Sequence, residues 1–213
     1  MKLVVGMSGA SGAPYAKRLV ELLRADPRVV SLSLVLSRTA ATVYAHECGG
    51  HPSGLGVPVY SGRDYDAPFA SGSAPADAMV VIPASMSTVA RIAHGISDDL
   101  LTRAADVVLK ERRKLIVVPR EMPVSAIHLE NMLSLTRAGA LVLPASPSFY
   151  HRPKAVSDLV DTVLDRVRDH LGLPAPGARR WRQEPSPDSQ PADSAQPHTA
   201  GHLRPVVDYG EDA

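Results

Sequence analysis

One cysteine in 213 residues, Cys48, leaves nothing for it to pair with in the chain, so no disulfide framework holds this fold and a reducing compartment suits it. Net charge is equally scarce: 23 Lys and Arg face 22 Asp and Glu, leaving +1. No whole-molecule field gathers nucleic acid or an anionic membrane, and any anion site must be local. No run approaches the roughly 20 apolar residues of a membrane span. The apolar start of MKLVVGMSGASG meets glycines before it could form a signal-peptide core. The cytoplasm is the expected location, with neither nucleic acid nor membrane as a partner.

Several chemical signatures are also missing. There is no G-K-[ST], no G-x-G-x-x-G, no G-x-S-x-G elbow and no repeat of solenoid or propeller period. Asp98-Asp99 is followed by Leu-Leu-Thr rather than a third aspartate, so no magnesium-diphosphate site is expected. His46, Glu47, Cys48 and His51 crowd together in AHECGGH without a second ligand pair. That stretch reads as a helix end, and no metal is expected.

What is present is 45% hydrophobic residues, enough for one sizeable core. Apolar, largely β-branched runs fall at Leu3 to Val5, Leu32 to Leu36, Met79 to Ile82, Leu115 to Val118 and Ala140 to Leu143, each separated from the next by helical character. Such alternation predicts an α/β fold with a parallel sheet. A late helix over 154–173 has Val156, Leu159, Val160, Val163, Leu164, Val167 and Leu171 on one face, Asp161, Asp165, Arg166 and Arg168 on the other, and Gly172 at its end. A second over 97–114 is expected to be capped by Ser97, with the basic KERRK run at its end. The expected organisation is one domain over residues 1–174 and an extension over 175–213. Trp181 is expected to dock on a neighbour, and the Pro, Ser and Ala-rich tail from about Glu184 lacks apolar period and is expected to be disordered.

Residues that could carry chemistry lie where strands are expected to end. GMSGASGAPYA follows the first strand, and its small residues, its Ser8 or Ser11 hydroxyl and the amides of the next helix suit a phosphate. Ser37 ends the second strand and PASMST ends the Met79 to Ile82 strand. In VPREMPVSAIHLENM a buried strand runs into Arg120 and Glu121, a charged pair placed where parallel sheets meet ligands.

Together GMSGASGAPYA, PASMSTVARIAHGISDDLLTRAADVVLKERR, VPREMPVSAIHLENM and LPASPSFYHRP resemble the UbiX-type flavin prenyltransferases, in the same order from about residue 2 to 173. The resemblance implies a Rossmann-like three-layer flavoprotein sandwich with a mostly parallel sheet, usually a homododecamer with FMN at a subunit interface. The implied activity joins a dimethylallyl group from dimethylallyl phosphate to N5 and C6 of reduced FMN. The product is the prenylated cofactor of UbiD-type decarboxylases.

Carried over by motif, Gly9, Ala10, Ser11 and Ser37 would hold the FMN phosphate and ribityl chain, with Ser85, Met86, Ser87, Thr88 and Arg120 beside the ring. Lys110, Arg120, Tyr150 and Arg166 would gather around the donor phosphate, with Tyr65 and Trp181 also on the substrate side. Glu121 would be the acid/base residue and Glu47 a supporting carboxylate. Ala84 stands where many relatives have Cys, and Tyr65 where some have Trp. PASMST also resembles the PASANT motif of flavin-dependent cysteine decarboxylases, but Ser87 replaces the Asn, and those enzymes lack KERR, PRE and FYHRP. A non-catalytic FMN carrier would not need Lys110, Glu121 and Arg166.

Overall fold

The computed structural model describes residues 1–73, 76–176 and 178. In chain order the elements are β1 (Lys2–Met7), α1 (Ala13–Arg24), β2 (Ser31–Leu36), α2 (Ala40–Cys48) and a short 3-10 turn (Pro52–Leu55). β3 (Val59–Ser61), β4 (Ala78–Ala84), α3 (Met86–Ala93), α4 (Leu100–Lys110) and β5 (Lys114–Pro119) follow. α5 (Ala126–Arg137), β6 (Leu141–Val142) and α6 (Val156–Leu171) complete the described domain. The strands form one sheet in the order β3-β2-β1-β4-β5-β6. Every pairing is parallel, with Leu3 opposite both Leu32 and Ala78, and Ala78 opposite Lys114.

Strand side chains alternate between faces, and that period of two builds two cores. Leu3, Val5, Met7, Val80, Ile82, Ile116 and Val118 pack under α1, α2 and α6. Val4, Met79, Val81, Leu115 and Val117 pack under α3, α4 and α5. Strands covered on both faces read as continuous apolar runs, and for that reason they were visible in the sequence. The expected three-layer sandwich is present, and its sheet is wholly parallel. β3 was not expected; three residues at the sheet edge carry too little alternation to declare a strand.

Two expectations about helices are corrected. α4 is capped by Asp99, not Ser97: the Asp99 carboxylate accepts from the Thr102 amide at 2.8 Å and the Thr102 side chain answers the Asp99 amide at 3.3 Å. A carboxylate at the first turn also meets the positive end of the helix dipole, which favours it over a serine two residues earlier. Arg168 does not lie on the polar face of α6. It follows Leu164 by one turn and is buried, 3.3 Å from Asp26, which Arg28 also engages at 2.6 Å. An arginine on the apolar stripe is tolerated because that carboxylate is waiting for it. Gly172, at φ 77°, ends α6 as expected.

Candidate functional site

The strand order reverses between β1 and β4, each of which leads from the sheet in opposite directions, and in open parallel sheets ligands settle at that point beyond the carboxyl ends. Here the reversal is lined by the loop after β1, Ser37 after β2, the start of α3 after β4 and Arg120 after β5.

Ser8 is buried and committed: its hydroxyl donates to the Pro83 carbonyl at 2.7 Å and accepts from the Ser85 amide at 2.7 Å. It splices the ends of β1 and β4, which leaves Ser11 as the loop serine facing outward. Gly9 lies so close to Thr39 that a Cβ would overlap the Thr39 hydroxyl. Gly12 takes φ 117°, a conformation that favours glycine, and turns the chain into α1.

The first amides of α1, expected to meet a phosphate, have another partner. The Glu47 carboxylate accepts from the Gly12 and Ala13 amides at 2.9 and 2.8 Å. Burial pushes its pKa up, but the Ser11 hydroxyl, these amides and the nearby Arg120 guanidinium together hold it below the usual carboxylate range. Glu47 is thus an anchored anion at the helix N-terminus. Arg120 reaches across from β5, its Nε donating to the Ser11 carbonyl at 3.0 Å while its amide donates to the carbonyl of the buried Ala84 at 3.2 Å.

Ser85 caps α3, sharing its hydroxyl with Ser87 at 3.2 Å and Thr88 at 3.1 Å. Met86 and Thr88 are buried, so Ser87 is the exposed member of PASMST. Ser37 donates its amide to the Met7 carbonyl, yet its hydroxyl is buried and has no hydrogen-bond partner among the described residues. A buried hydroxyl without a partner among the described residues, beside a loop whose backbone is partly exposed at Gly9 and Gly12, fits a phosphorylated ligand such as FMN. Thr39 was not singled out from the sequence. Its only signal there was its place two residues beyond Ser37.

Glu121 is exposed and accepts from the Met122 amide at 3.0 Å. Tyr65, on the loop after β3, and Tyr150, on the loop after β6, are exposed, the Tyr150 ring 5.2 Å from that of His151. Two expected members lie elsewhere in the chain. Lys110 ends α4, whose start hydrogen-bonds Gly62 beyond β3, so Lys110 falls at the opposite edge of the sheet, near the beginning of β5. Arg166 is on α6, in the layer across the sheet from α4, and pairs with Asp169 at 3.0 Å. One chain therefore brings together the glycine loop, Ser37, Ser85 to Thr88, Arg120, Glu121 and Glu47, and leaves Lys110 and Arg166 apart. Trp181 lies outside the described residues. No cluster of three or more His, Cys, Asp or Glu suited to a metal occurs among the described residues, and none of their helices is long and apolar enough to cross a membrane.

This edge and this strand order define an α/β protein with a ligand crevice at its topological switch point. The flavoprotein family profile matches residues 1–168. The flavin prenyltransferase UbiX of Methanocaldococcus jannaschii is 45% identical over 184 residues, covering 85% of this chain and 98% of that protein. The dodecameric FMN-dependent UbiX-like decarboxylase of Escherichia coli O157:H7 superposes with TM-score 0.82 at 48% identity, over 86% of this chain and 100% of the other. AnUbiX (PadA1) in complex with FMN and dimethylallyl pyrophosphate gives TM-score 0.81 at 42% identity, over 86% and 98%. The chain belongs to the UbiX-like flavin prenyltransferases of the flavoprotein family. With the FMN-dependent cysteine decarboxylase SpaF, 20% identical at TM-score 0.53, it shares the fold alone.

Proposed function

We propose that this chain joins the dimethylallyl group of dimethylallyl phosphate to N5 and C6 of reduced FMN, making the prenylated cofactor that UbiD-type decarboxylases use. The observation that carries this reading is a switch point lined by the glycine loop, Ser37, the α3 cap and Arg120 in a chain 45% identical to a flavin prenyltransferase UbiX, with the buried Ser37 hydroxyl partnerless among the described residues. Gly9, Ala10, Ser11 and Ser37 would hold the FMN phosphate and ribityl chain. Ser85, Met86, Ser87, Thr88 and Arg120 would flank the ring. Reduced FMN, when bound, supplies the electron-rich atoms that the dimethylallyl carbons join.

The chain's own residues supply the rest. As the donor's C–O bond breaks, negative charge gathers on the phosphate, and Lys110, Arg120, Arg166 and the Tyr150 hydroxyl are the groups to stabilise it. Glu121 holds or passes the proton between phosphate and acceptor. Glu47 keeps Ser11 and the first turn of α1 in place. Tyr65 and Trp181 are assigned to the prenyl side.

Since Lys110 and Arg166 cannot meet this edge within one chain, neighbouring copies are assigned to deliver them, in a homododecamer like that of the E. coli relative. The exposed Met122, Val124, Ile127, Leu129 and Leu133 along and before α5 provide an apolar surface for such packing. We assign this function to residues 1–174, with 175–213 as an extension, and place the protein in the cytoplasm.

Anaerobic incubation with reduced FMN and either dimethylallyl phosphate or diphosphate tests the reading. The flavin is expected to gain the mass of one prenyl unit with at least one donor. An unchanged flavin together with decarboxylation of a cysteinyl peptide would transfer the protein to the cysteine decarboxylases.

A further inference from the structure

The KERR run holds more than helix-end charge. Lys110 Nζ donates to Glu111 Oε1 at 2.7 Å, and this ion pair lies over Gly72, on the loop between β3 and β4. A Cβ on Gly72 would stand 2.5 Å from Lys110 Nζ and closer still to Glu111 Oε1. The backbone of Gly72 does not lie in the left-handed region that favours glycine, so what the position lacks is room. The loop itself is pinned to α4 and its end: Arg103 Nε donates to the Ala70 carbonyl at 3.1 Å and Arg113 Nη2 to the Gly72 carbonyl at 3.3 Å. The lysine thus rests in a seat with a backbone floor and a carboxylate wall, while its side chain stays 47% exposed. Among the described residues one N–H bond of the ammonium is used, which leaves two for an incoming anion.

We propose that Glu111 and Gly72 are positioning residues for Lys110, holding its ammonium aimed outward before the donor phosphate arrives. This rests on the reading that Lys110 meets that phosphate in a neighbouring copy's site. A free lysine carries large rotamer entropy, and holding it in advance lowers what binding must spend. A partly exposed pair contributes little to fold stability, so its effect appears in binding rather than in melting.

The two explanations of Glu111 differ in sign. If its carboxylate merely competes with the donor, Glu111→Gln adds net positive charge and tightens donor binding. If it positions the lysine, the same change weakens binding. Steady-state kinetics on the FMN-loaded oligomer, with melting temperature and FMN content measured alongside, separate them. Glu111→Gln and Gly72→Ala are each expected to raise the donor KM about three- to tenfold with kcat within about twofold. Melting temperature and FMN content should match the parent. Lys110→Ala, as the reference, is expected to raise the KM about ten- to hundredfold. A donor KM that is unchanged or lower in Glu111→Gln, beside a raised KM in Lys110→Ala, overturns the positioning role alone. An unchanged KM in Lys110→Ala removes the donor contact itself and the positioning role with it.

Discussion

Ser37 and Glu121 occupy one sheet edge but answer to different measurements. Removing the Ser37 hydroxyl takes away a group that has no partner among the described residues. Ser37→Ala should therefore leave thermal stability within about 0.5 kcal/mol, or raise it, while weakening FMN affinity up to about tenfold by titration. A drop in stability with FMN affinity intact would mean that the hydroxyl serves the fold. Glu121→Gln keeps shape and loses the proton, so FMN and donor should both bind while product formation, read by flavin mass, falls by roughly 10²–10⁴.

Acid sensitivity at this scale is strongest at Asp26. The hydrogen bonds from Arg28 hold its carboxyl well below the usual range, with Arg168 adding a further bond, against the opposing effect of burial. A depressed carboxyl gives stability that is present above its unfolded pKa of about 4 and is lost as pH falls below it. Asp26→Asn should flatten the acid limb of a denaturation curve and lower stability near neutral pH by about 3 kcal/mol, since it strands the buried Arg168. Parallel acid limbs for the variant and the parent would show that Asp26 is not the group that titrates.

At the scale of elements, α5 is the informative helix. Its only buried residues are Asn131 and Leu135, whereas Ile127, Leu129 and Leu133 face outward. A helix with so little inward stripe and apolar residues outside it is built to be covered by something other than its own sheet. Ile127→Asp combined with Leu129→Asp should split the proposed oligomer into smaller species by sedimentation and leave the circular dichroism of the subunit unchanged. An oligomer of parental mass would place the contact between copies elsewhere. α4 differs in kind: its strong apolar face is buried and its start depends on the Asp99 and Thr102 box.

The whole molecule is where the two halves of the proposed donor site meet. Glu121 stands at the carboxyl edge of the sheet and Lys110 at the opposite edge, so a complete site needs different copies. Lys110→Ala and Glu121→Gln chains, each nearly inactive alone at a donor concentration well below the parent's KM, should recover activity there when unfolded together and reassembled as mixed oligomers. Random mixing restores roughly one site in four. Recovery no greater than the sum of the separate variants would return both residues to a single chain's site.

By itself the sequence determined the layers: apolar runs buried on both faces, period-3.6 helices and the αL glycine at 172 are local signals and survive without knowledge of neighbours. It also marked the strand ends where Gly9, Ser11, Ser37, Ser85 and Arg120 collect, because parallel topology sends all such ends to one edge. Tertiary structure alone decided what each group there is free to do. Ser8 and Ser11 look alike in GMSGASG, and only the approach of Pro83 and Ser85 from β4 buries the first. The amides of α1 were reserved by Glu47, 34 residues from Ala13, and Arg168 was claimed by Asp26, 142 residues away. Such pairings depend on distances in space that no local period encodes, and the separation of Lys110 from Arg166 across the sheet belongs with them.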